Sequence, residues 1–342
     1  MRHYNLWLEK YASRRSQILS KFSEYKKLTQ ELREKIPEKE LLLKINPEEE
    51  IPQTRLCFVD GGEGLRELMG MGIYFIRASG LLITHNCGSG KGECFERDLD
   101  MNIIDYDDYT KERVELLRDS MEFDIALNCA KKHKPEYIFL DGSLYVKARR
   151  RPIECEEYSV YAKKFMRLLS LCKKEKIRLV GVSEDSKSKL LTKHLSQKYK
   201  VKLPSFMTDS TLLRILCGNK TYRTIEFPTQ SKIESNDETT ASLTAGFPTA
   251  YTQPTPLANP MRVDVPDWDN NLERAINLIA ALSKGSKQYG YPLPLFLVHL
   301  DARIKEGHME WSTDQMINYL LKADPTIADA IFRKTRRGAR PM

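Results

Sequence analysis

Arg55-Leu-Cys-Phe-Val-Asp60-Gly-Gly62 is the stretch on which the reading of this chain turns. Apolar residues fill the interval from Leu56 to Val59 and two glycines follow Asp60, the pattern of a short buried strand delivering an aspartate into a tight turn. Tyr137-Ile-Phe-Leu-Asp141-Gly-Ser143 repeats the pattern. Between the two, Gly72 to Thr84 is rich in β-branched and aromatic residues and predicts one or two further strands, in a meander. Tyr109 to Lys132 has the helical period, with Val114, Leu117, Met121 and Ile125 on one face and Glu112, Glu115, Asp119 and Glu122 on another. Beyond Asp141 come a helical pattern at 158–176, a strand at 177–183, a short helix at 208–217, a strand at 261–265 and a helix at 270–283. Early strands followed by alternating helix and strand predict one mixed α/β sheet with flanking helices.

The chain has 342 residues, 41% hydrophobic and 30% charged, which excludes a disordered acidic tail, a collagen-like repeat and a disulfide-stapled miniprotein. Lys plus Arg is 55 and Asp plus Glu is 47, a net +8 that is compatible with a nucleic-acid partner without requiring one. No apolar run reaches the roughly 18–20 residues of a membrane span. The first residues lead into a charged amphipathic stretch where a signal peptide would have an apolar core, so the expected location is cytoplasmic, with no membrane partner. The seven cysteines include no Cys-x-x-Cys pair and read as reduced, packed thiols.

The expected organisation has three parts. Residues 1–45 form an N-terminal helical extension, because apolar side chains from Tyr4 to Ile36 recur mostly at three- and four-residue steps. Residues 50–330 form the main domain. Within it, 228–260 is rich in Ser, Thr, Asn, Gln and Pro and reads as a flexible insertion. Residues 331–342 form a basic tail.

Two aspartates carried to glycine turns by apolar strands are what a divalent-metal phosphoryl-transfer site requires, although Asp-Gly is also ordinary turn chemistry. A third carboxylate from the intervening helix would strengthen that reading. Glu115 and Glu122 share a helix face at the border of the apolar stripe, and periodicity does not choose between them.

Phe58-Val-Asp60-Gly-Gly, Leu116-Leu-Arg118-Asp-Ser-Met-Glu122, Tyr137-Ile-Phe-Leu-Asp141-Gly-Ser and Tyr291-Pro-Leu-Pro with the later His299 together resemble, in order and in most of their spacing, the motifs of the NurA family of archaeal DNA-end-processing nucleases. The resemblance implies a ribonuclease H-like, Piwi-like fold. It also implies a manganese-dependent 5′ to 3′ exonuclease and single-strand endonuclease of DNA end resection. By resemblance, Asp60, Glu122 and Asp141 are metal carboxylates, with Tyr291 and His299 at the same site, and Glu122 is preferred to Glu115. A twofold homodimer and a hexameric HerA translocase are the implied partners.

Such chemistry fits two cations about 4 Å apart, with Asp60 as bridging ligand. Mn²⁺ is implied by the resemblance alone, since oxygen ligands suit Mg²⁺ as well and only an imidazole shifts the choice. His299 could complete the metal shell or move a proton, and Tyr291 could hydrogen-bond a phosphate. Lys147, Arg149, Arg150 and Arg151, just after the Asp141 turn, are candidate contacts to the DNA backbone, and so, with less support, are Lys187 and Lys189. Gly88-Ser-Gly90-Lys91-Gly92 lacks the spacing of a phosphate loop, and His85, Cys87 and Cys94 are too sparse for zinc. Two rival readings remain: a non-catalytic DNA-binding adaptor for a translocase, and a nuclease of RNA hybrids.

Overall fold

The computed structural model describes residues 2–46, 51, 54–84, 92–144, 154–184, 186–228, 247–269, 271–286 and 289–332. Its centre is the apolar run that opens the sequence reading. Leu56 and Phe58 point to one face of strand β2 (Arg55–Glu67) while Cys57 and Val59 point to the other, the period-two alternation of a strand buried on both sides.

β2 pairs antiparallel with β3 (Met71–Thr84), and β3 with β4 (Gly92–Asp105). On its other side β2 pairs parallel with β5 (Tyr137–Asp141), and β5 parallel with β6 (Arg178–Ser183). Helix α3 (Thr110–His133) makes the crossover from β4 to β5, and α4 (Glu156–Glu175) the crossover from β5 to β6. An antiparallel meander whose first strand is extended on its other side by two successive parallel strands is the ribonuclease H arrangement expected above. The sheet continues through β10 (Met261–Asp264), antiparallel to β6, then β9 (Pro248–Gln253) and β7 (Tyr222–Thr224), and ends at β1 (Leu42–Leu43), with β8 (Phe227–Pro228) beside β9.

Two cores flank the sheet. One holds Cys57, Val59, Ile138, Leu140 and Leu179 against α3 and α4. The other holds Phe58, Phe139, Val180 and Val263 against α7 (Leu272–Leu282) and α8 (Leu293–Ala302). Phe58 and Phe139 are register partners and stack with ring centroids 5.0 Å apart. A third core joins α5 (Leu190–Tyr199) and α6 (Asp209–Cys217) to Leu32, Ile36 and Leu41. A fourth packs α9 (Glu306–Ala323) and α10 (Pro325–Phe332) on Leu68, Ile73 and Phe75.

Three expectations need correction. Gly61-Gly62 is no turn: β2 runs on to Glu67, and Asp60 stands inside a 13-residue strand. The glycines serve close approach instead, since a Cβ on Gly61 would lie 2.5 Å from Glu122 Oε1 and one on Gly62 would meet the Ala302 carbonyl. Asp60 nevertheless marks an end, because the pairing of β2 with β5 stops at Val59–Leu140, and the orphaned Gly61 N–H is met by Asp60's own Oδ1 at 2.7 Å. The second correction concerns 228–260. Residues 229–246 lie outside the described residues, but Pro248–Gln253 is a buried inner strand whose Thr249, Thr252 and Gln253 are bonded to neighbouring groups. Thirdly, the N-terminal extension is only partly one. α1 (Arg2–Lys35) exposes Trp7, Tyr11 and Phe22, yet its end and α2 (Glu38–Leu41) belong to the third core, and β1 joins the sheet.

β4, at the sheet edge, is long and carries Leu99, Met101 and Ile103 facing solvent. Their backbone N–H groups are occupied locally: Asp98 Oδ1 accepts from Leu99, Asp100 Oδ1 from Met101 and Asn102 Oδ1 from Ile103, at 2.8–2.9 Å. No helix among the described residues is long and apolar enough to cross a membrane.

Candidate active site

The candidate site lies where the two parallel strands end. β5 stops at Asp141 and β6 at Ser183, while β2 passes beside them, so Asp60 and Asp141 come together at the carboxyl ends of the central strands. α8 supplies the third member. Tyr291-Pro-Leu-Pro begins this helix, proline presetting the first-turn dihedral, and Leu295 and Val298 bury its inner face against Phe58 and Phe139. His299 then faces Asp60, its Nδ1 2.9 Å from Oδ2.

α8 is pinned two residues later. Asp301 accepts from Ser79 Oγ at 2.6 Å and from Arg97 Nε at 2.7 Å, and Ser79 is the cross-strand partner of Asp60. Strand, histidine and helix are therefore tied into one rigid unit.

One ligand atom each from Asp60, Asp141 and His299 lies within 4.8 Å of the other two. Two carboxylates and an imidazole are a donor set for a hard or borderline divalent cation, and their spacing is that of groups able to share one. The electrostatics agree. Burial, then the charge of Asp60, pushes the Asp141 carboxyl up to about 7. The hydrogen bond His299 makes to Asp60, opposed by partial burial, raises its pKa. Burial and the Asp141 charge push the Tyr291 phenol up. The Tyr291 hydroxyl is buried beside Asp141 and close enough to lower that acid's pKa, but it does not reach the geometry of a full hydrogen bond. A site that raises the Asp141 carboxyl while leaving a buried hydroxyl underused is one that a cation would stabilise.

Glu122 is close but not in the trio. It comes from α3 through the space left by Gly61, and its Oε1 lies 3.2 Å from Arg118 Nε. Burial, against the opposing pull of Arg118, holds its pKa well above the ordinary range, and the charges of Asp119, Asp60 and Asp141 add to the rise. The Arg118 guanidinium also meets Asp119 and Glu63. Glu115, the alternative on the same helix, is not in the group of ligand atoms.

Lys187 and Lys189 are exposed just past the end of β6, and Lys189 Nζ donates to the Ser205 carbonyl. Lys147, Arg149, Arg150 and Arg151 lie outside the described residues. Glu184 was not anticipated. It accepts from Tyr289 Oη at 2.6 Å, and its charge acts on Asp141, Tyr291 and His299. Its position, one residue beyond β6 as Asp141 closes β5, was the available signal.

A curated relative from Sulfolobus acidocaldarius, a DNA double-strand break repair nuclease NurA, is 25% identical over 301 residues, covering 79% of this chain and 83% of the relative. The crystal structure of the NurA nuclease from Sulfolobus solfataricus matches with a TM-score of 0.63 at 18% identity, covering 90% of this chain and 97% of that one. A NurA structure bound to dAMP and manganese matches with a TM-score of 0.54 at 16% identity, covering 88% and 95%. These likenesses show the same fold. The family model for the NurA domain matches residues 54–304, from the first residues of β2 to just past α8, and the chain therefore belongs to the NurA family of nucleases.

Proposed function

We propose that the chain is a metal-dependent DNA nuclease that processes DNA ends in double-strand-break repair. The observation that carries this reading is the convergence of Asp60, Asp141 and His299 at the carboxyl ends of the central strands, in a chain of this family. Asp60, Asp141 and His299 would hold the cation, with Glu122 as a further carboxylate at its side. A bound divalent cation supplies charge stabilisation on the phosphodiester and a more acidic water. The remaining work falls to the chain. Asp60 orients His299 through Nδ1, which leaves Nε2 for one of two roles: ligand to the cation, or, where the carboxylates alone hold the cation, a group that takes or returns a proton. Tyr291 can donate its hydroxyl to a phosphate oxygen or to Asp141.

The finer reading is a 5′ to 3′ exonuclease and single-strand endonuclease working with Mn²⁺, Mg²⁺ being an alternative, and two ions. We further propose a cytoplasmic homodimer working with a hexameric HerA translocase, supported by the family resemblance and by the apolar side chains that α1 exposes. Digestion of 5′- and 3′-labelled single-stranded and duplex DNA with Mn²⁺, Mg²⁺ or chelator tests the assignment. Metal-dependent cleavage lost in Asp141→Ala supports it. Absence of cleavage even with a translocase present would favour the adaptor.

The pocket also predicts a pH dependence. With Asp141 raised from its ordinary 3.8 to about 7, the folded metal-free protein holds a proton that the unfolded chain releases. This group's contribution to stability is therefore full below about pH 4 and is lost as pH rises through 7. A cation takes the proton's place, so the rise in Tm produced by Mn²⁺ should be larger at pH 8 than at pH 6. Equal rises at the two pH values, measured by scanning fluorimetry, would remove Asp141 from the ligand set.

A further inference from the structure

Asp264, at the end of β10, is fully buried and accepts four hydrogen bonds. Two come from its own side of the sheet: Thr249 Oγ1 at 2.7 Å and Arg262 Nε at 2.8 Å, both to Oδ1. The other two, both to Oδ2, come from the segment that follows Asp141: Ser143 Oγ at 2.5 Å and the Leu144 backbone N–H at 3.2 Å.

That segment needs outside direction. Gly142 has φ +130, a conformation in which glycine tolerates many continuations, so the chain's own stereochemistry does not fix its course after Asp141. Its course is fixed by contact. Gly142 N donates to the Val182 carbonyl at 2.7 Å. Residues 142–144 lie directly on Gly181, where a Cβ would come within 2.9 Å of Leu144 N, and Gly181 is the register partner of Asp264. One carboxylate thus links the strand beyond β6 to the turn that carries Asp141. The same turn leads into the basic run Lys147 to Arg151.

We propose that Asp264 is a positioning residue for the metal site, holding Asp141 at its place in the ligand group by clamping Ser143 and Leu144. The inference rests on the metal-nuclease reading above. It attributes to Asp264 no contact with substrate or cation. Groups hydrogen-bonded directly to metal ligands are worth about ten- to a hundredfold in metal affinity, and Asp264, which acts through the two residues after Gly142, belongs at the lower end.

Asp264→Asn tests it while keeping side-chain size. Both oxygens of Asp264 face donors, and an amide presents only one oxygen, so either the clamp on 143–144 or the pairing with Thr249 and Arg262 must break. Ser143→Ala loosens the clamp alone and leaves the Thr249 and Arg262 bonds in place. Leu212→Ala, a cavity in the third core, is the control for general destabilisation.

The readout is Mn²⁺ affinity by titration calorimetry on the full chain, well below the Tm of each variant. The expected result is a Kd weakened about tenfold in Asp264→Asn and by a smaller factor in Ser143→Ala, with Leu212→Ala binding as wild type. Wild-type Kd in both Asp264→Asn and Ser143→Ala would overturn the proposal. So would equal weakening in Leu212→Ala. Should Asp264→Asn fail to fold, the Ser143→Ala titration decides alone. A wild type that binds no Mn²⁺ overturns the metal reading and this inference with it, whereas a binding wild type with unchanged variants overturns only this inference.

Discussion

Asp60→Ala is expected to lower metal-dependent DNA cleavage by at least about a thousandfold, the scale on which groups acting as a catalytic unit fail when one is removed. The same substitution should leave the metal-free protein as stable as wild type or more so. Asp60 is buried beside Asp141, and its charge is one of the causes that raise Asp141 and Glu122, so its removal relieves repulsion. Its favourable contacts are the Gly61 N–H and the His299 imidazole, the latter more than half exposed. Loss of activity with an unchanged or raised Tm in chelator, and with the Mn²⁺-induced rise in Tm gone, is the combination that marks a ligand. A fall in Tm accompanied by a normal Mn²⁺ response would mean that Asp60 is structural.

Gly62→Ala should do the opposite, damaging the fold first. A Cβ at Gly62 would stand 3.0 Å from the Ala302 carbonyl carbon and nearer still to its oxygen, and the obstruction is backbone on both sides. Relief requires β2 or the end of α8 to move. The cost belongs at the upper end of overpacking, about 3 kcal/mol. Ala302 is three residues beyond His299, so the movement that relieves the clash also carries the imidazole away from Asp60, and activity should fall beyond what the unfolded fraction explains. Gly307→Ala, where an added methyl meets nothing within 4 Å, provides the comparison and should change stability by less than about 1 kcal/mol. Urea denaturation of the two variants measures the contrast.

These glycines also show where the sequence was legible. Asp60 and Asp141 could be found because uninterrupted apolar runs precede them, and such runs are how a central parallel strand looks. The helix at 110–133 and the strand at 178–183 were visible through periodicity within one or two residues of their ends. Gly61-Gly62 misled because two glycines after an aspartate signal a turn, whereas here they admit Glu122 on one face and α8 on the other, a tertiary requirement that no local rule contains. β4 went unread because charged residues recur along it, the composition of an edge strand with an exposed face. Pro248–Gln253 reads as an insertion because Thr249, Thr252 and Gln253 are polar, and the groups that satisfy them, on Asp264, Tyr222 and Gly218, come from other parts of the chain. Four of the five proposed catalytic residues precede or sit on elements with a clear pattern, yet only the family resemblance singled out Tyr291 and His299. Glu184 carries a signal only in its place just past a strand end, and Asp264 carries none, because its partners are distant in sequence.

The three carboxylate and amide caps along β4 bear on how copies of this protein meet. A strand edge with free donors is a template, and any extended chain, including one still emerging from a ribosome, can add to it. Here the donors at 99, 101 and 103 are consumed by the side chains directly before them. This protection is written into the strand and is in place as soon as the strand forms, before any partner has arrived. Along this stretch of the edge the sheet thereby offers an incoming strand no free donor at three alternate positions, and growth in the hydrogen-bonding direction is disfavoured there.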